Sequence, residues 1–110
     1  MTLIEFEHDI YAVATASPIC DIPTIRRLTS TSINFRVNVT MGGFIDAFYN
    51  AYTGTVAFAW IYSGQRAFGA DNTGGWHMHP FEDPEYHKAL SRPMTFADFV
   101  AQLEKHAITK

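Results

Sequence analysis

The sequence predicts an α+β domain: an antiparallel meander sheet of about five strands, with an N-terminal and a C-terminal helix packed on one face. Three patterns predict it. Apolar residues recur three or four apart near both ends, they alternate strictly with polar ones over residues 33–39, and glycine-bearing turns divide the chain between. With 110 residues, 47% hydrophobic and 15% aromatic, the chain fills one sizeable core, so residues 1–110 are expected to form a single compact domain.

The N-terminal helix comes first. In "TLIEFEHDIYAVATAS", Leu3, Phe6, Ile10 and Val13 make one apolar face while Glu5 and Asp9 lie on another. Thr2 is placed to cap this helix, and Pro18 stops it because proline cannot continue the hydrogen-bond ladder. "IRRLTS" reads as a weak strand. "SINFRVNV" reads as a strong one, with Ile33, Phe35, Val37 and Val39 on one face and Asn34, Arg36 and Asn38 on the other. The turn at Gly42 and Gly43 leads to "FIDAFYN", "TVAFAWIYS" and "QRAFGA", separated by "AYTG" and "SGQ". Residues 71–93 carry five Gly and Pro and no sustained period, so they read as a long loop with a brief strand at Trp76 to His79. "TFADFVAQLEKHA" closes the chain as a helix, with Thr95 as N-cap, Asp98 three residues on, and Phe96, Phe99, Val100 and Leu103 on one face.

Charge and composition narrow the functional classes. The formal net charge is −3, which argues against broad, sequence-blind nucleic-acid binding. Residues 22–70 nevertheless carry Arg26, Arg27, Arg36 and Arg66 against Asp46 alone, so the sheet region is locally basic. The acidic N-terminus has neither the basic start of a secretory signal nor an apolar run long enough for a membrane span, and a cytoplasmic protein is expected. Cys20 has no partner for an internal disulfide and is expected as a small buried side chain. His8 and His106 are expected at solvated helix positions.

The stretch "DNTGGWHMHPFEDPEYH", residues 71–87, holds three of the five histidines, four carboxylates, a Trp and two Pro. In an extended segment His77 and His79 leave the same face, and Pro80 and Pro84 can turn His87 back toward them. Three chemistries stay open. Neutral imidazoles with Asp71 or Asp83 would fill a divalent metal site. A histidine pair near its own pKa can instead serve as acid and base on a phosphodiester, with Arg66 binding the developing charge and Lys88 and Arg92 in reserve. In the third reading Trp76 and Phe81 merely anchor the loop, the histidines bond to backbone carbonyls, and Asp71 and Asn72 stabilise turns.

The run "FIDAFYNAYTGTVAFAWIYSGQRAFGADNTGGWHMHPFEDPEYH", with "MTFADFVAQLEK" after it, resembles the small TumE-like proteins, toxin components of bacterial and archaeal toxin–antitoxin operons. Arg66, Phe68, Asp71, Asn72, His77, His79 and His87 carry the resemblance over residues 33–104. It implies a cytoplasmic protein with an RNA or translation-related target, neutralised by a helix-turn-helix antitoxin partner. The leading expectation is therefore a toxin-like, metal-independent ribonuclease without cofactor. His77 and His79 would act as acid and base, Arg66 would bind phosphate, His87 would assist and Asp71 would orient an imidazole. Trp76, Asn72, Lys88 and Arg92 would contact substrate. The alternative is a noncatalytic interaction module that forms a homodimer or hetero-oligomer through its sheet edge and aromatic loop. A histidine-ligated metal hydrolase is the third.

Overall fold

Alternation along the chain sorts the side chains onto two faces of one sheet, and the two helices cover only one of them. The computed structural model describes residues 1–109. Its elements are α1 (Leu3–Ala16), β1 (Thr24–Leu28), β2 (Ser32–Asn38), β3 (Phe44–Asn50), β4 (Val56–Tyr62), β5 (Gln65–Asp71), β6 (His77–His79), β7 (Lys88–Ala89) and α2 (Phe96–Ile108). The strands lie side by side in chain order, each antiparallel to the next. The fold is α+β.

The sheet has seven strands where about five are expected. The extra two are short: β6 is the brief strand expected at Trp76 to His79, and β7 comes from the stretch that reads as loop. Asp71, expected to open that loop, ends β5 instead and faces His77, while Gly69 faces His79. Backbone groups on the outer edge of β5 need partners, and three residues of β6 supply them without any apolar period to announce it.

Each helix is held by a reciprocal capping box. Thr2 Oγ1 accepts from the Glu5 amide while the Glu5 carboxylate accepts from the Thr2 amide, and Thr95 and Asp98 repeat the arrangement at α2. Phe6 and Ile10 of α1 and Phe96, Phe99 and Leu103 of α2 bury against Phe35, Ile45, Phe58 and Phe68 of the sheet. Each such side chain contributes about 1.5–3 kcal/mol by leaving water. Phe81, beyond β6, stacks on Phe68 with centroids 4.1 Å apart, and His106 stacks on Phe81 at 3.9 Å. His106 is thus half-buried rather than solvated, because the ring of Phe81 offers it a flat apolar face; His8 is exposed as expected. Cys20 is half-buried in an isolated bridge with Val39, and burial pushes its thiol pKa up. No helix among the described residues is long and apolar enough to cross a membrane.

Two local features shape the uncovered face. Trp60 pairs with Phe68 but Ile61 pairs with Arg66, so Ala67 is an extra residue in β5. This bulge turns Arg66 to the uncovered face although Phe68, two residues on, points into the core. The β2–β3 turn needs Gly43, whose φ is +71° and whose missing Cβ leaves room for the Ile61 carbonyl.

Candidate functional site

On the face that the helices leave uncovered, the ends of β5 and β6 bring titratable side chains together. His77 and His79 are two apart on β6 and point to the same side, toward Asp71 across the ladder. His87, immediately before β7, completes the group: its ring lies 4.9 Å from that of His77 and 4.4 Å from that of His79. One ligand nitrogen from each of the three imidazoles falls within 4.8 Å of the others. His79 is buried, His77 is half-buried and His87 is exposed, so the group opens to solvent on one side.

Main-chain carbonyls fix the tautomers. Nδ1 of His77 lies 3.0 Å from the Gly75 carbonyl and Nδ1 of His79 lies 3.1 Å from that of Pro84. A carbonyl only accepts, so both rings carry hydrogen on Nδ1 and present a bare Nε2 in the neutral state. Those Nε2 atoms lie 3.3 and 3.6 Å from one carboxylate oxygen, Oδ2 of Asp71. The other oxygen of Asp71 accepts from the Thr73 amide and shapes the turn after β5. The orienting task expected of Asp71 is therefore performed by backbone, and Asp71 faces the reactive nitrogens instead.

Arg66 closes one flank. Its Nη2 donates to the Pro84 carbonyl that also holds His79. Its side chain passes over Gly69, where an added Cβ would meet Arg66 Cδ at 3.0 Å and His79 Cδ2 at 3.5 Å, so the glycine makes room for both. Burial lowers the His79 pKa, and the charges of Arg66, His87 and His77 lower it further against the opposing Asp71.

The five residues expected to carry chemistry, Arg66, Asp71, His77, His79 and His87, thus converge. The four expected to bind substrate do not. Trp76 and Lys88 alternate to the helix side of β6 and β7, Lys88 opposite Met78, and Trp76 packs against the core. Asn72 is committed to structure: Oδ1 accepts from the Val56 amide and Nδ2 donates to the Gly54 carbonyl. Arg92 lies near Asp98 at the start of α2. What sequence reasoning missed is main chain: the carbonyls of Gly75 and Pro84, the gap at Gly69 and the bulge at Ala67. Only the bulge left a trace, in Arg66 and Phe68 sharing a strand parity while differing in polarity.

No protein-family model, curated protein or solved structure matches this chain.

Proposed function

We propose that the protein is a metal-dependent phosphodiesterase in which His77, His79, His87 and Asp71 bind a first-row transition metal ion and Arg66 binds the phosphoryl group. One observation carries this reading: two bare Nε2 lone pairs face one carboxylate oxygen at 3.3 and 3.6 Å. Three electron-rich atoms at that spacing repel unless a proton on an imidazole or a metal cation sits among them, and three imidazoles around one opening suit the metal. Ligands at about 2.0–2.1 Å from a tetrahedral zinc ion are about 3.4 Å from one another, close to the 3.3 and 3.6 Å from the two Nε2 atoms to Asp71, while the three imidazole nitrogens lie within 4.8 Å of one another. The Nδ1–H bonds to carbonyls are the outer support that metal-bound imidazoles use.

Such a centre performs hydrolysis. A metal ion held there would supply a bound water of lowered pKa, toward about 7, on the solvent side near exposed His87. With that chemistry supplied, water would add to phosphorus as the bond to the leaving oxygen breaks, and that oxygen would take a proton from solvent to give a phosphomonoester and an alcohol. Arg66 stabilises charge on the phosphoryl oxygens.

The toxin-like, metal-independent ribonuclease is a second reading, supported by the resemblance and by the placing of Arg66 beside an exposed His87. It breaks the same kind of bond. In it His87 supplies the acid, because the environment of His79 disfavours a proton there. A helix-turn-helix antitoxin partner and a cytoplasmic location belong to that reading.

Elemental analysis, with cleavage of labelled RNA and of a small chromogenic phosphodiester with and without EDTA, separates the two. The expected result is about one zinc-class ion per chain and cleavage that EDTA abolishes and added metal restores. Cleavage indifferent to EDTA would assign the site to acid–base catalysis. A protein that neither takes up metal nor cleaves would leave the noncatalytic interaction module.

A further inference from the structure

We infer that the uncovered face of the sheet is a docking surface for single-stranded RNA, one that leads a phosphodiester into the histidine cluster. The inference names the substrate class of the phosphodiesterase and rests on that reading for what happens at the cluster.

Strand register shows what the face presents. One row runs Asn34, Phe48, Ala57, Asp71, His77 across β2 to β6; the next runs Arg36, Asp46, Ala59, Gly69, His79; a third runs Asn38, Phe44, Ile61, Arg66. Ala57, Ala59 and Gly69 make a low floor between the aromatic rings of β3 and the imidazoles of β6. Three strand spacings separate those strands, about 14 Å, the reach of a short run of extended nucleotides.

The chemistry of the face suits such a strand. Phe44 and Phe48 are half-buried, with ring faces in no stack with another aromatic ring among the described residues. The Arg36 guanidinium carbon lies 3.8 Å from the Phe44 ring centroid, a half-buried cation packed on that ring, and its Nε is buried without a hydrogen-bond partner. Arg27, opposite Asn34, and Arg66 add two more cations at opposite ends of the face. On these rows three guanidiniums, Arg27, Arg36 and Arg66, stand against two carboxylates, Asp46, which accepts from Asn34, and Asp71, which faces the imidazoles. Bases stack on accessible rings, here Phe48, since Phe44 carries the Arg36 guanidinium, while cations track the phosphates. Exposed Asn38 places a side-chain amide in the same row as Phe44, where it fits a ribose 2′-hydroxyl.

The test reads binding apart from cleavage. A short labelled oligoribonucleotide is titrated by fluorescence anisotropy with the EDTA-treated full chain, while the chromogenic diester reports the metal site alone. Phe48→Ala is expected to weaken RNA binding about 10-fold, the loss of one stacked base. Arg36→Ala and Arg27→Ala are each expected to flatten the salt dependence by about 0.7 in log K against log salt, one phosphate contact. Thermal melting checks that each variant is folded, and exposed Arg27 keeps the test alive should Phe48→Ala fail to fold. Unchanged affinity and salt slope in all variants would overturn the inference, as would equal affinity for DNA of the same sequence. A dimer that Phe48→Ala dissociates would overturn it in favour of a second copy of the chain. Diester hydrolysis without RNA binding would sink the inference and leave the phosphodiesterase standing. RNA binding without metal uptake would do the reverse.

Discussion

The two faces of the sheet use the same backbone ladder and differ in almost everything else. On the covered face Phe58 meets Phe6, Phe96 and Phe99 at centroid distances of 6.4, 5.4 and 5.5 Å, and every buried side chain there belongs to the apolar core. On the uncovered face lies His79, the single buried polar side chain among the described residues, within reach of Asp71, His77 and His87. Because successive residues alternate sides, stability and chemistry are one residue apart along every strand. A slip of one in register would exchange them. The helices therefore secure the register, and the register in turn places the site.

The largest expected effect tests the covered face. Phe99 is fully buried against Phe58 and Phe68, so Phe99→Ala should cost about 3–5 kcal/mol in urea denaturation by loss of transfer energy and creation of a cavity. The fraction that stays folded should bind metal as the wild type does. A changed metal affinity would show that the two faces are coupled through the sheet.

Next comes the uncovered face. A ligand that binds only the native state at 100 times its Kd adds about 2.7 kcal/mol of stability, so zinc should raise the urea midpoint of the wild type accordingly. His87 is exposed, so without metal His87→Ala should stay within about 0.5 kcal/mol of wild type while gaining little from zinc. Equal stabilisation of both proteins would mean that the histidines share no ion.

How much of this was legible depends on which side chains speak for themselves. Period two in Ile33, Phe35 and Val37 and the helical spacing of Phe96, Phe99, Val100 and Leu103 foretold the core, because burial demands the pattern. The His-x-His spacing likewise foretold a shared face. The brief strand expected at Trp76 to His79 is β6, but β7 was not legible, since it is two residues long and is held by backbone pairing to β6. Trp76, Asn72, Lys88 and Arg92, expected to contact substrate, lie apart from the histidine cluster. Proximity in sequence put them in the loop, but alternation and a turn sent each elsewhere. The site's supports, two carbonyls, a glycine gap and a bulge, carry no side chain for a sequence to display.

The smallest effect concerns what keeps the covered face covered. Thr95 and Asp98 cap α2 with reciprocal bonds of 3.0 Å, and Thr95→Ala should cost about 1 kcal/mol. The bond from the Thr95 amide holds the Asp98 carboxyl below the usual Asp range, and the charge of nearby Arg92 adds to it. A folded pKa below the unfolded one makes the cap's contribution full above the ordinary Asp value of about 4. It is lost as acid brings the pH down through the lowered value. Asp98→Asn, which has no proton to gain, should therefore show a shallower decline in stability below about pH 4 than wild type in urea denaturation at a series of pH values. Asp98 lies on the helix side, away from His77, His79 and His87, so hydrolysis of the small diester near neutrality should not change. A variant that kept the wild-type acid slope would move the titration to another carboxylate. One that lost hydrolysis while folded would show that α2 governs the site through the sheet, and the separation of the two faces would fail.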